Sequence, residues 1–306
     1  MQFPAPGKNL LVRSEAESYG GQLRSWLESL HAVVQSYLQR WDLEWTGESL
    51  PQGSASYVLP CRTEDDGCVV LKLSPDAAAA QEEAAALSTW EGIGAARLVA
   101  ESFDENGGAL LIGRIDPGHA LLPFDDRTPG QIAGCVRMLH RIAARLVRRP
   151  LPTGHQRLIG FMQTNARHLD RMSPRIRDQH AKMIALADAI GRSQRSSEQA
   201  VLLHGDLNPA NLLVSKEGII AIDPIPSVGE PEQDIAEAAA KNNWGPELHV
   251  RAMRLSEMYL ADHAKVAAYT RLAAWNTGLF HAGTGTEAPG KIDPGELLEY
   301  AVSESV

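Results

Sequence analysis

Apolar residues at Leu23, Trp26, Leu27, Leu30, Val33, Val34, Tyr37, Leu38 and Trp41 recur at steps of three and four, and this predicts an amphipathic helix over residues 16–41. The pattern then shortens. Ser56 to Cys61 and Cys68 to Leu73 read as two strands joined by the turn Glu64-Asp65-Asp66-Gly67. Pro75 and Asp76 end the second strand, and an alanine-rich helix follows over Ala77 to Trp90. Arg97 to Ser102 and Ala109 to Ile115 flank Asp104-Glu105-Asn106-Gly107-Gly108 and predict a closing hairpin of the same sheet. After Asp116-Pro117-Gly118 the pattern turns almost wholly helical, beginning with Ile132, Cys135, Val136, Leu139, Ile142 and Leu146. Val201 to Leu203 and Ile219 to Ile222 are short apolar stretches around a polar loop, with helix again over about 233–282 and a Gly/Pro-rich tail. The expected organisation is α+β and two-lobed: a small β-rich lobe over 1–115, a hinge near 112–118, and a larger helical lobe over 116–306.

Composition narrows the class. The chain has 306 residues, 44% of them hydrophobic, which excludes a disordered or collagen-like protein. Its 29 Lys+Arg against 38 Asp+Glu, a net charge of −9, argue against general nucleic-acid binding. No apolar run approaches the roughly 20 residues of a membrane helix, and the N-terminus has no signal-peptide pattern. Cys61, Cys68 and Cys135 are too few and too scattered for a disulfide framework or zinc site, so reduced thiols and a cytoplasmic location are expected. Residues 130–200 carry 13 Lys+Arg against 4 Asp+Glu, which reads as a patch for an anionic partner or, more ordinarily, as a solvated helical face.

The polar loop holds the chemistry. In Leu203-His204-Gly205-Asp206-Leu207-Asn208-Pro209-Ala210-Asn211, an Asp precedes an Asn by five residues. A carboxylate there can accept a hydroxyl proton while the amide oxygen one turn on holds a metal ion. Asp223 ends the apolar run Gly218 to Ile222, a placement that aims a hard oxygen ligand at Mg²⁺. Lys72 lies inside the apolar run CVVLKL, where an unpaired ammonium is expensive. It reads either as an edge lysine reaching water or as a phosphate ligand held by Glu83 or Glu82. Gly53-Ser54-Ala55-Ser56 precedes a strand and suits either a phosphate-covering loop or a plain turn.

The order of phosphate loop, strand lysine, helix glutamate, His204-Gly205-Asp206, Asn211 and Asp223 resembles the aminoglycoside phosphotransferases, which have a protein-kinase-like fold. More narrowly it is similar to the streptomycin and hydroxyurea kinase branch. Glu83 to Leu98, Ala109 to Gly118, the catalytic loop and Ala221 to Ala236 carry the likeness, which spans roughly residues 40–280. The resemblance implies Asp206 as catalytic base, and Asn211 and Asp223 as Mg²⁺ ligands. It implies Lys72 on the ATP phosphates with Glu83 behind it, and Gly53, Ser54 and Ser56 over those phosphates. The backbone of Ile112 to Ile115, including Arg114, would be the adenine hinge. Asp234 would brace the catalytic loop with His204 and cap the helix after it. Asn208 stands where this branch commonly has a histidine, and Glu230 where it has an aspartate before the proline.

The expected activity is ATP- and Mg²⁺-dependent phosphorylation of a small-molecule hydroxyl, on a streptomycin-like aminoglycoside or hydroxyurea. A housekeeping amino-sugar or amino-alcohol kinase of the same fold is the alternative. A non-catalytic nucleotide-binding regulator fits less well, because such a protein need not keep a base. A hydrolase metal site on His204 and Asp206 lacks a second histidine cluster. Residues 224–306 hold 12 Asp+Glu against 6 Lys+Arg, so a cationic acceptor drawn by Glu230, Glu232 and Glu237 is one expectation and a solvated acidic surface the other.

Overall fold

The computed structural model describes all residues except 1–2, 8–9, 11–19, 54, 66, 106, 193–199, 246 and 304–306. The chain divides into two compact units, the first made of residues 1–92 and 96–115, the second of 93–95 and 116–306.

Among its described residues, unit 1 is a five-stranded antiparallel sheet with two helices, α1 (Gly20–Arg40) and α2 (Ala77–Trp90). Helix α1 (Gly20–Arg40) is followed by strands β1 (Leu43–Trp45), β2 (Tyr57–Thr63) and β3 (Cys68–Ser74), helix α2 (Ala77–Trp90), and strands β4 (Leu98–Asp104) and β5 (Gly107–Gly113). The sheet order is β1-β2-β3-β5-β4. The apolar stripe of α1 supplies Leu23, Trp26, Leu30, Val34 and Tyr37 to a core with Tyr57, Leu59, Leu71, Leu73 and Leu111. Each such side chain contributes about 1.5–3 kcal/mol on burial. The first part of the expected 16–41 helix lies outside the described residues. Helix α2 starts where Asp76 accepts a hydrogen bond from Ala79 N at 3.0 Å and ends at Glu91 in the left-handed region. Its buried face includes Ala80, Glu83, Ala84, Leu87 and Trp90. Central strand β3 pairs on both sides, placing Lys72 opposite Val58 and Leu110.

Unit 2 is largely helical but holds more strand than the pattern predicts. Its elements are β6 (Pro117–Ala120), α3 (Thr128–His140), α4 (Gly154–Asn165), α5 (Pro174–Arg177), α6 (His180–Arg192), β7 (Val201–Leu203), β8 (Leu212–Ser215), β9 (Gly218–Ala221), β10 (Ser227–Gly229), α7 (Pro231–Lys241), α8 (Leu248–Tyr259), α9 (His263–Thr284) and α10 (Pro294–Val302). Strand β6 occupies the Pro-Gly stretch read as a break, and pairs with β8. Strands β6, β8 and β10 hold three or four residues each, too few to display an alternation, and long-range pairing decides them. Gly94 and Ala95 belong here as well: Ala221 N donates to Gly94 O at 2.9 Å.

Helix α9 is buried on most sides, through Val266, Tyr269, Leu272, Trp275 and Leu279. At Gly278 a Cβ would sit 2.9 Å from Pro294 O and from Leu298 Cγ, so only glycine lets α10 pack this closely. Part of the basic charge of 130–200 is directed at main-chain carbonyls: Arg157 donates to Pro226 O, Arg171 to Gly283 O, and Arg177 to the carbonyls of Leu169, Asp170 and Met172.

Candidate active site

In unit 1, Lys72 Nζ lies 2.7 Å from Glu83 Oε1 and 2.6 Å from Oε2, and both residues are buried. Helical phase decides between the two glutamates, since Glu83 shares the inward face of α2 with Ala80 and Leu87 while Glu82 is half-buried. Burying two ions is costly unless they pair closely, as these do. Ser56 is buried and Gly53 half-buried; Ser54 lies outside the described residues. Gln52, which the sequence did not single out, pins this loop to β2: its Nε2 donates to Val58 O at 2.8 Å and its Oε1 accepts from Val58 N at 3.1 Å. Ile112 is held between Val70 and Leu98, Gly113 N donates to Arg97 O, and Arg114 N donates to Cys68 O. The Arg114 guanidinium pairs with Glu48 at 2.6 Å, and Ile115 is half-buried at the end of this unit.

In unit 2 the loop after β7 turns at Gly205, whose φ is +75° and where a Cβ would sit 2.3 Å from Ile225 O. Only glycine satisfies both constraints. Asp206 is then gripped on both oxygens. Its Oδ1 accepts from Lys241 Nζ at 2.9 Å and Asn208 Nδ2 at 3.1 Å, and its Oδ2 accepts from Asn211 Nδ2 at 2.9 Å. Burial raises the pKa of this carboxyl, but Lys241 and Asn208 overcome that and hold it below the ordinary value. Asn208 also caps the short turn Pro209–Asn211, its Oδ1 accepting from Ala210 N at 2.8 Å.

With its nitrogen bonded to Asp206 O and Oδ2, the Asn211 side chain could present its oxygen to a cation. Ile222 N donates to Asn211 O at 2.9 Å, which ties the strand end before Asp223 to this turn. Asp223 follows in the left-handed region at φ +56°. Among the described residues no group of three or more His, Cys, Asp or Glu side chains is arranged to hold a metal. An amide oxygen and one carboxylate fit Mg²⁺, which keeps waters and takes substrate phosphates rather than an all-protein cage.

Asp234 is fully buried: Oδ1 accepts from Gly205 N at 2.8 Å, and Oδ2 from His204 N at 2.8 Å and His140 Nε2 at 2.9 Å. It does not cap α7. The N-cap is Glu230, and Asp234 sits one turn inside, where its carboxylate faces the loop rather than its own helix. His204 is buried, accepts from Asp206 N at 3.3 Å, and burial pulls its pKa down. His140 extends the chain to Tyr259, with Nδ1 2.9 Å from the hydroxyl. A cavity of about 770 Å³ is lined by residues that include His140, Tyr259, Arg137 and Glu217, and Asp206 does not line it.

The three acids expected at the acceptor separate. Glu230 is buried against Lys265 and the Tyr269 hydroxyl, and Glu232 is fully buried with Oε1 accepting from Asp262 N. Glu237 alone joins the Asp206 cluster, through Lys241 at 2.6 Å. Sequence reading missed Lys241. Its only local signal is the i, i+4 spacing from Glu237.

A model of the aminoglycoside/hydroxyurea antibiotic resistance kinase family matches residues 40–284. The chain belongs to that family. It is a phosphotransferase with an alcohol group as acceptor, in agreement with the resemblance seen in its motifs. Its relatives include a streptomycin 6-kinase of Streptomyces glaucescens, 28% identical over 96% of this chain and 94% of that protein. A hydroxyurea phosphotransferase of Kitasatospora aureofaciens is 28% identical over 82% of this chain and 73% of that protein. Among solved structures, aminoglycoside phosphotransferase APH(4)-Ia, as a thermostable mutant with ADP and hygromycin B, matches with a TM-score of 0.62 at 12% identity. That match covers 90% of this chain and 99% of the other, and it shows the kinase-like α+β fold. Among the described residues no helix is long and apolar enough to cross a membrane.

Proposed function

We propose that this kinase transfers the γ-phosphoryl group of ATP, with Mg²⁺, to a hydroxyl of a small molecule such as a streptomycin-like aminoglycoside or hydroxyurea. The observation that carries the reading is the grip on Asp206, ionised and oriented by Lys241, Asn208 and Asn211. A carboxylate held that way can orient an acceptor hydroxyl in line and take its proton late, as a loose phosphoryl-transfer transition state requires. Lys72, kept in place by Glu83, binds phosphate oxygens. Gly53 and Ser56 cover them, and the backbone of Ile112 to Ile115 takes the adenine. Asn211 and Asp223 hold Mg²⁺, which supplies charge neutralisation on the phosphates. Asp234 and His204 keep the loop's main chain in shape. A panel of aminoglycosides, hydroxyurea and amino alcohols, assayed for acceptor-dependent ADP release with and without Mg²⁺, tests this. Absence of acceptor-dependent release across the panel would remove the assignment.

A further inference from the structure

No candidate site residue lies before Gly53, yet residues 3–7 reach the loop that holds it. The contact is made at Gly7, where a Cβ would sit 2.8 Å from Gly53 O and 2.9 Å from Gln52 Cβ. The φ of Gly7 is outside the left-handed region, so the close approach, rather than the backbone conformation, calls for glycine here. Gln52 cannot easily retreat, since both ends of its amide are bonded to the Val58 main chain. On either side of Gly7 the segment is fastened to the core. The Tyr57 hydroxyl donates to Pro4 O at 3.0 Å, and the Phe3 ring lies 5.1 Å from that of His31 on α1 and 5.6 Å from that of Trp45 on β1. Leu10 is fully buried in the core shared by α1 and the sheet. Pro4 and Pro6 fix two φ angles and so lower the entropic cost of holding the segment in place.

The pleat shows on which side this happens. Val58 is the cross-strand partner of Lys72, so the two share one face of the sheet, while Tyr57, Leu59, Leu71 and Leu73 take the other, under α1. Bonded to Tyr57, the segment lies on the α1 side and braces the loop from behind. We propose that residues 3–7 are a positioning element of the nucleotide site, holding Gly53 and Ser56 in the conformation that covers the nucleotide's phosphates. The inference rests on reading that loop as the phosphate-covering one. A loop held in shape beforehand spends less of the binding energy on its own ordering.

Titrations of ATP with Mg²⁺ and of adenosine, which has no phosphates, test this in Gly7→Val, Tyr57→Phe and Gly53→Val, with thermal melts to establish folding. Gly7→Val drives a side chain against Gly53 and should weaken ATP binding about tenfold, the scale of an overpacked contact, while adenosine binding stays unchanged. Tyr57→Phe keeps its ring in the core, releases only Pro4 and should weaken ATP binding about threefold, again sparing adenosine. A segment serving the fold alone would lower the melting temperature without altering the ratio of the two affinities. An unaltered ratio in folded Gly7→Val, or in Tyr57→Phe where Gly7→Val does not fold, overturns the proposal. At Gly53 a Cβ meets only Ser56, at 3.5 Å, so Gly53→Val reports on the phosphates themselves. If Gly53→Val leaves the ratio unaltered, the reading of the loop falls and the proposal with it; if it alone lowers the ratio, the loop reading stands and only the role of residues 3–7 is lost.

Discussion

His140 Nε2 lies 2.9 Å from Asp234 Oδ2, the same carboxylate that receives the main-chain N–H groups of His204 and Gly205. Burial raises the pKa of this carboxyl, but His140 and the loop N–H groups outweigh it and hold it below the ordinary carboxylate value. A depressed carboxyl stabilises the fold above its unfolded pKa, and that stability disappears as pH falls through the folded value. Asp234→Asn should cost about 3 kcal/mol at neutral pH, the scale for breaking a buried charged network. In denaturant melts the gap between wild type and variant should hold down to about pH 5 and narrow below about pH 4.

Asp206→Asn should keep nucleotide affinity and lose kcat by about 10²–10⁴, as expected for a positioned base. Nucleotide titration alongside steady-state rates separates the two. Near-normal turnover in the variant would assign the proton to another group.

For the metal, Asp223→Ala should abolish the Mg²⁺-dependent part of the thermal shift given by ATP, and Asn211→Ala should weaken it. Wild type should gain about 2.7 kcal/mol at a nucleotide concentration 100 times Kd. An unchanged shift in Asp223→Ala would take that residue out of the metal site.

Lys72 and Glu83 separate stability from binding. Lys72→Met strands a buried carboxylate and should destabilise by about 3–5 kcal/mol. The double variant Lys72→Met/Glu83→Gln should recover most of that stability while nucleotide binding stays lost. Recovery of both, measured by melts and nucleotide titration, would show that Lys72 serves only the fold.

These contrasts show what the sequence could disclose. An ammonium inside CVVLKL required a partner, and the sequence offered Glu83 or Glu82; the resemblance pointed to Glu83, and the folded helix α2 turns that one inward to Lys72. Asp206, Asn211 and Asp223 announced themselves through spacing and apolar flanks. Lys241 did not, because its bond to Asp206 crosses 35 residues and no local pattern records it. Glu230 and Glu232 looked like surface charge because a run of acids hides which of them face inward. Their burial follows from the packing of α7 against α9 in a contact that only the folded chain displays.

The main chain enters unit 2 twice, first briefly at 93–95 and then for good at 116, and this governs how the protein can be cut apart. A fragment beginning at residue 116 would leave Ala221 N without the Gly94 carbonyl, two residues before Asp223. It would also remove the backbone around Gly94, which packs against Met138 and Leu139 of α3. Neither unit can therefore be expressed as one uninterrupted segment with its full complement of residues. An isolated helical fragment would need the 93–95 stretch grafted on, or supplied in trans as a peptide, to rebuild the strand end that precedes Asp223.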